Sequence, residues 1–234
     1  MKIRELLPAL ESAPAEFSSR YEAELDRATS LYGSCGISVP RVGPLGESRF
    51  PNLPLAQQAE ILKALEYQNR LLKASLVHEP EFRGRNHSLV WGALKELGLR
   101  PPSDAFTHIK DSHLVEIYNV NFGQIFRSLN FLQFVSYSID ELMTYHWHEL
   151  YERTGSTTDE MLRMIDIVKA NKAPTTYVRP FTRCVVREKF SPKAIAADSD
   201  SVIGASLFNS SGEFAGYLSV VEIFHSWSEP VAES

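Results

Sequence analysis

The order in which helix-like and strand-like patterns follow each other is the strongest constraint on this fold. Helical patterns dominate the first hundred residues, whereas three β-rich runs close the chain at 182–188, 201–208 and 214–224. Such segregation is typical of α+β proteins with an antiparallel sheet, and not of doubly wound α/β folds. The last two runs are joined by a turn-rich NSSGE link that contains Gly212, which predicts a hairpin.

Residues 55–76 carry the clearest helical pattern of the sequence. A stripe of residues recurs there at alternating spacings of three and four. Its leucines are Leu55, Leu62, Leu65, Leu72 and Leu76, and Gln58 and Asn69 fill the remaining two places. An asparagine in a coiled-coil seam fixes the register of the two helices, so the stripe is a candidate dimer seam. The alternative is an amphipathic helix that packs on the chain's own core. The pattern covers about three heptads, the lower limit for a coiled coil, and both interpretations stay open.

Composition narrows the class of protein. The 234 residues include 24 Lys and Arg against 29 Asp and Glu, a net charge of −5, which argues against broad contact with a nucleic-acid backbone. The small basic spot at 83–85 is best interpreted as a solvated loop. The sequence contains no apolar run of the roughly 18 residues that a membrane helix needs, and its N-terminus lacks a signal-peptide core. Two distant cysteines indicate reduced thiols. We expect a cytoplasmic protein that binds neither membrane nor nucleic acid.

Several motifs in the second half of the chain resemble those of PAS domains. In FLQFVSYSIDEL (131–142), an aromatic-containing helix runs into a Tyr-Ser-x-x-Glu-Leu signature whose places are held by Tyr137, Ser138, Glu141 and Leu142. Trp147 and Leu150 resemble the Trp-x-x-Leu element that often follows. The closing SGEFAGYLSVVEIF resembles the PAS hairpin ending, with Gly212 in the turn and Gly216 at the start of the final strand.

The resemblance covers about residues 105–225 and implies a five-stranded antiparallel sheet with short helices on one face. The chain is then divided into an N-terminal helical region (1–104), a PAS-like domain (105–225) and a disordered tail (226–234). In the final run, 214–224, both faces are mostly apolar, as expected when both are covered. We expect the N-terminal helices, or a partner subunit, to cover the face that the short helices leave open.

The function that the resemblance implies is sensing or protein–protein interaction in signalling, without catalytic residues. We expect a homodimer that passes a signal through its N-terminal helices or to a separate partner protein. A small apolar ligand would lie in a pocket lined by Phe131, Phe134, Met161, Ile165, Val168 and Leu218. A closed core without a ligand, as in a pure scaffold, is the alternative. The identity of any cofactor stays open, but we expect neither a covalent flavin adduct nor haem, because the reactive cysteine of flavin-binding members is missing at 130–133 and residues 158–171 hold no histidine for haem.

A small enzyme or metal-binding protein is the competing class. His146 and His148 flank Trp147, and together with Glu152 they form the one arrangement that invites a metal or an acid–base role. We predict a helix here, and on a helix residues two apart point to different faces. The two imidazoles should therefore lie apart and form no metal site. The HEXXH zinc motif, the phosphate-binding glycine motifs and the serine nucleophile elbow are all missing from the sequence.

Overall fold

The computed structural model describes residues 7–78, 86–121, 123–170, 176–178, 184–191 and 195–228. Their α-helices are α1 (Leu7–Ser34), α2 (Leu55–His78), α3 (Asn86–Glu96), α4 (Ile139–Thr144), α5 (Trp147–Leu150) and α6 (Thr157–Ala170). Their strands are β1 (Leu114–Asn119), β2 (Gln124–Arg127), β3 (Tyr151–Arg153), β4 (Thr176–Val178), β5 (Cys184–Glu188), β6 (Ile195–Phe208) and β7 (Phe214–Ser228). The predicted α+β class is confirmed.

All strands belong to one antiparallel sheet with the order β2-β1-β7-β6-β5-β3, and β4 pairs with β6 beside this path. Within the described residues the sheet has seven strands, so the predicted number of five is wrong. The difference corresponds to β3 and β4, which have three residues each. Such short strands leave no alternating pattern in the sequence, because their pairing depends on the neighbouring strand and not on their own residues.

The hairpin of β6 and β7 forms as predicted and is longer than its sequence pattern. Gly212 occupies the connecting turn with a positive φ of 77°, a conformation that favours glycine. The side chain of Asn209 accepts backbone hydrogen bonds from Ser211 and Glu213, which closes the turn. Strand β7 continues to Ser228, so residues 226–228 of the predicted tail belong to the sheet. The rest of that tail, 229–234, lies outside the described residues.

Helices cover both faces of the sheet, as the apolar character of the last strand predicts. On one face, buried residues of β1, β6 and β7 pack against α2 and α3: Val115, Ile117, Ala205, Leu207, Leu218 and Val220 meet Tyr67, Leu71, Val90 and Leu94. On the other face, Tyr118 and Tyr217 pack with Ile165 of α6. The N-terminal helices and the sheet therefore share one core.

The leucine stripe of α2 lies inside this core. Leu62, Leu65 and Leu72 are between 1% and 5% exposed and pack in a cluster with residues of α1. The Nδ2 atom of Asn69 donates to the backbone oxygen of Glu24 at 2.9 Å and to its Oε2 at 2.8 Å. The asparagine thus finds its partner within the chain. Since these side chains are already buried, they offer no seam to a second copy, and the homodimer stays a prediction that needs another surface.

At its two ends the stripe leaves this core. Leu55 is 42% exposed at the first position of α2, and Leu76 near the end of the helix is half-buried.

Two acidic residues at the start of α4 hold the long loop that connects α1 to α2. Ser138 and Glu141 form a capping box, as a serine followed three residues later by a glutamate favours. Glu141 also accepts a hydrogen bond from the backbone of Leu45 at 2.6 Å. The neighbouring Asp140 accepts from Ser48 at 2.7 Å and from Tyr21 of α1 at 2.9 Å. The capping residues therefore also position the chain that leads into α2.

Candidate functional site

A cavity of about 400 Å³ lies between α2, the β1–β2 end of the sheet and the segment of α4 and α5. Its size is sufficient for one small organic molecule. The N-terminal half of α2 forms one wall with Gln57, Glu60, Ile61 and Ala64. The opposite wall includes residues 142–147, which run from α4 into α5. An element of the N-terminal helical region and elements of the predicted PAS-like domain thus enclose the same space.

The floor of the cavity is polar because of the register of β1 and β2. Successive strand residues point to opposite faces, so Val115 and Ile117 enter the core while Glu116 and Tyr118 face the cavity. Tyr118 is paired with Gln124 of β2, which also lines the cavity. Polar side chains of two strands are thereby brought together on one face of the sheet.

A hydrogen-bond chain connects this floor to α4. The Oε1 atom of Glu116 accepts bonds from the amide of Gln124 and from the hydroxyl of Tyr118, the latter at 2.9 Å. The Oε1 atom of Gln124 accepts in turn from the guanidinium of Arg127, with the Nε contact at 2.8 Å. Arg127 then donates from Nη2 to the backbone oxygen of Leu142 at 2.9 Å. The carboxylate is therefore held in a defined position by neutral donors.

Burial dominates the electrostatics of this chain. It raises the pKa of Glu116, and the hydrogen bond from Tyr118 together with the charges of Arg127 and Arg153 opposes that rise. Burial likewise lowers the pKa of the Arg127 guanidinium. The pKa of the Tyr118 hydroxyl lies well above its ordinary value because of burial and the neighbouring Glu116 carboxylate. Perturbed ionisable groups around a cavity are a mark of functional sites.

Aromatic rings supply much of the remaining cavity surface. The aromatic lining residues are Tyr118, Phe131, Tyr145, Trp147 and Tyr151. The ring of Tyr118 stacks on that of Tyr217 with centroids 4.6 Å apart. The guanidinium of Arg153 lies 4.6 Å from the ring centroid of Trp147. Large planar surfaces with a few polar groups are typical of small-molecule sites.

Residues of the connection between β1 and β2 also line the cavity, namely Asn119, Asn121 and Gly123. The Oδ1 atom of Asn119 accepts backbone bonds from Asn121 and Gly123 at 2.9 and 2.8 Å, which orders the turn. The side chain of Asn121 donates to Glu60 of α2 at 3.4 Å. This contact connects two lining residues of the cavity, one on the β1–β2 connection and one on α2.

The predicted pocket residues are divided between several places. Phe131 lines the cavity, and Phe134 packs at the margin of the adjoining core. Ile165 packs with Tyr118 and Tyr217 on the cavity side of the sheet, and Met161 is half-buried on the same helix. Leu218 lies on the opposite face, under α2 and α3. The side chain of Val168 lies outside the described residues.

The residues that the sequence pattern missed are the polar floor and the α2 wall, above all Glu116, Gln124, Ile61 and Ala64. One signal was present: Glu116 is a carboxylate inside an otherwise apolar strand run, and charged residues at such positions are rarely buried without a role.

The two histidines of the alternative metal site lie next to each other, contrary to the expectation that helical geometry separates them. Their ring planes differ by 6° and their centroids are 5.5 Å apart. The reason is that α5 has only four residues and begins after His146, whose backbone is extended. Glu152 lies on β3 as an exposed residue, where it pairs with Arg187. Within the described part of the chain, no three His, Cys, Asp or Glu side chains could hold a metal ion together.

No family model and no curated protein matches the chain. Among the helices that the structure describes, none combines the length and the apolar character needed to cross a membrane.

Proposed function

We propose that this protein is a non-catalytic, PAS-like sensory module that binds a small molecule in the cavity beside α2. The order of its elements supports the proposal: β1 and β2 precede the short helices, α6 follows, and β5, β6 and β7 close the chain. The signature residues also have clear structural roles. Ser138 caps α4, and the hydroxyl of Tyr137 donates to the backbone oxygen of Leu150 at 2.7 Å.

One observation carries the ligand-binding part of the proposal, namely the composition of the cavity. It combines aromatic walls with the hydrogen-bonded Glu116 and Gln124. An apolar core has no need of a carboxylate, and burying one is costly unless it serves binding or structure. The ligand we propose is therefore amphipathic rather than purely apolar.

Helix α2 is the element that would carry the signal. Its residues Ile61 and Ala64 line the cavity, and they belong, with Leu65 and Leu72, to the core cluster that α2 shares with α1. A ligand that contacts the first two residues therefore acts on the same helix that holds the N-terminal region in place. This arrangement needs no long pathway, because one rigid helix contacts both the ligand and the output surface.

The proposal is tested by native mass spectrometry of the purified protein, followed by variants of α2. We expect a bound small molecule, lost when Ala64→Leu fills part of the cavity. Ala64 is also 8% exposed and packs in the core cluster, so we expect the larger side chain to lower the free energy of unfolding by about 1–3 kcal/mol. The matched control is Ala74→Leu, the same change at an exposed position of the same helix, which should retain the ligand.

The dynamic consequence is measured by amide exchange. Ligand binding should slow exchange across residues 55–65 of α2, and the effect should extend into α1. Protein that carries no bound mass, and whose α2 exchange is unaffected by any compound that raises its melting temperature, would refute sensing and favour a scaffold.

A further inference from the structure

We propose that the ligand is a small aromatic monocarboxylate whose carboxylate is held by Arg153 and the hydroxyl of Tyr151. This inference rests on the proposed ligand-binding function and names the chemical class of the ligand. It follows from the hydrogen-bonding state of two neighbouring side chains on β3, from the charges around them and from the shape of the adjoining cavity.

Arg153 is the first observation. Its Nη1 atom is buried and has no hydrogen-bond partner among the described residues. Arg153 is not itself a lining residue of the cavity, but its guanidinium rests on the ring of Trp147, which is one. Burial lowers the pKa of this guanidinium, as expected for a cation that has lost water. A buried donor of a charged group without an acceptor is costly, and an acceptor supplied by a ligand would remove that cost.

Tyr151 is the second observation. Its hydroxyl is also buried without a hydrogen-bond partner in the described part of the chain. Tyr151 lines the cavity and is separated from Arg153 by one strand residue. Because side chains two apart on a strand share a face, the hydroxyl and the guanidinium lie on the same side of β3. Together they offer O–H and N–H donors, the combination that binds a carboxylate.

The charges of this region leave room for one more anion. Arg127 and Arg153 both lie in the interior, and among the described residues the Glu116 carboxylate raises the pKa of each of them. The next carboxylate, Glu188, already accepts bonds from the backbone and hydroxyl of Ser136. Glu60 at the rim is exposed, so solvent screens its charge. A monoanion bound beside Arg153 would compensate the second guanidinium.

The lining and the volume of the cavity indicate the remaining part of the ligand. Beside Trp147 and Tyr151 its wall contains Tyr118 and Phe131, so a flat ring would contact aromatic surface on several sides. A volume of about 400 Å³ accommodates a mono- or bicyclic ring with a short acidic side chain.

The test uses three probes that share one ring and differ in charge: indole-3-acetate, indole-3-acetamide and tryptamine. Binding to the full-length protein is measured by calorimetry and by the shift in melting temperature. We expect the carboxylate to bind about tenfold or more tightly than the amide, because only the carboxylate pairs with the guanidinium. The amine should bind most weakly, since its ammonium group approaches two guanidinium groups.

Three variants locate the contact. Arg153→Met should weaken indole-3-acetate binding by about tenfold or more, and Tyr151→Phe by several-fold. Without ligand, Arg153→Met should melt at or above the wild-type temperature, because it removes a buried cation without a partner. The matched control is Arg49→Met, which removes a guanidinium that lies over the cavity residue Tyr145 and pairs with Glu149 at the surface. It should bind indole-3-acetate like the wild type.

Two results would overturn the inference and leave the proposed function intact: an amide or amine that binds as tightly as the carboxylate, or carboxylate binding that Arg153→Met does not weaken. If none of the three probes binds and native mass spectrometry finds no bound molecule, the inference and the proposed function are both wrong.

Discussion

Replacing Glu141 with glutamine is expected to lower the free energy of unfolding by about 2–4 kcal/mol. The Glu141 side chain is 2% exposed and its carboxylate accepts hydrogen bonds on both oxygens. Oε1 accepts from the backbone of Leu45 at 2.6 Å. Oε2 accepts from the backbone of Ser138 at 2.7 Å and from its hydroxyl at 3.1 Å. The change therefore affects a helix cap and a loop anchor together.

The magnitude follows from the chemistry of the amide. Glutamine keeps one acceptor oxygen, which can replace Oε2 beside Ser138. Its NH2 group then faces the N–H of Leu45, so two donors oppose each other and that N–H loses its partner. A hydrogen bond to a charged group contributes about 1.5–3 kcal/mol, and the unpaired N–H adds to the loss. For a chain of this length, 1 kcal/mol corresponds to about 2–4 °C in melting temperature.

The assay is urea denaturation followed by circular dichroism, with Glu149→Gln as the matched control. Glu149 accepts a backbone hydrogen bond from His146 at 2.7 Å in the same helical position of α5, but its side chain is 34% exposed. Water can form hydrogen bonds with the groups that lose their partner in this variant, so we expect the free energy of unfolding to fall by about 0.5–1 kcal/mol. Equal losses for the two variants would refute the argument that burial and the contact to Leu45 set the cost.

Three further predictions concern the core, the pH response and one glycine. Leu65→Ala should lower the free energy of unfolding by about 2–5 kcal/mol in urea denaturation, because Leu65 is 1% exposed. Sedimentation should show the same mass for the variant and the wild type. If the variant instead dissociates from an oligomer, the leucine stripe is a dimer seam after all. Burial lowers the pKa of His113 below 6.5, so the folded state binds this proton less readily than the unfolded state and stability falls as the pH drops through about 6.5. Between about pH 7 and pH 5, His113→Asn should lose less stability than the wild type in thermal melts. Gly216→Ala should destabilise the folded protein by well over the ~1 kcal/mol of an average substitution, since the new Cβ would lie 2.0 Å from the carbonyl oxygen of Tyr118. The control is Gly33→Ala in α1, where no atom lies within 4 Å of the new Cβ. It should leave the stability unchanged or raise it slightly in the same melts.

Local chemistry made several elements predictable from the sequence. Ser138 and Glu141 cap α4 as their spacing predicts, and Gly98 follows α3 with a positive φ of 66°. Gly212 closes the hairpin of β6 and β7. In each case the interaction joins residues a few positions apart, or depends on the conformational freedom of one residue. Such signals do not require knowledge of what packs against the element.

The role of α2 could not be predicted in the same way. Its leucine stripe is compatible with a second copy and with the chain's own core, because an apolar face has the same composition in both cases. The position of α1 decides between them, since Glu24 supplies the partner of Asn69. A contact between residues 45 positions apart in sequence leaves no periodic pattern.

The cavity depends most strongly on tertiary structure. Tyr217 and Leu218 point to opposite faces of β7, the first toward Tyr118 on the cavity side and the second toward α2 and α3. The sequence shows this alternation but not which layer covers each face. The polar floor joins Glu116 to Gln124 through strand register, whereas the wall comes from α2, more than fifty residues earlier. The sequence by itself determined the order of the elements and several of their ends, because these follow from contacts between near neighbours. Only the tertiary structure decided which side chains surround the cavity, because that depends on the pairing of strands and the docking of a distant helix.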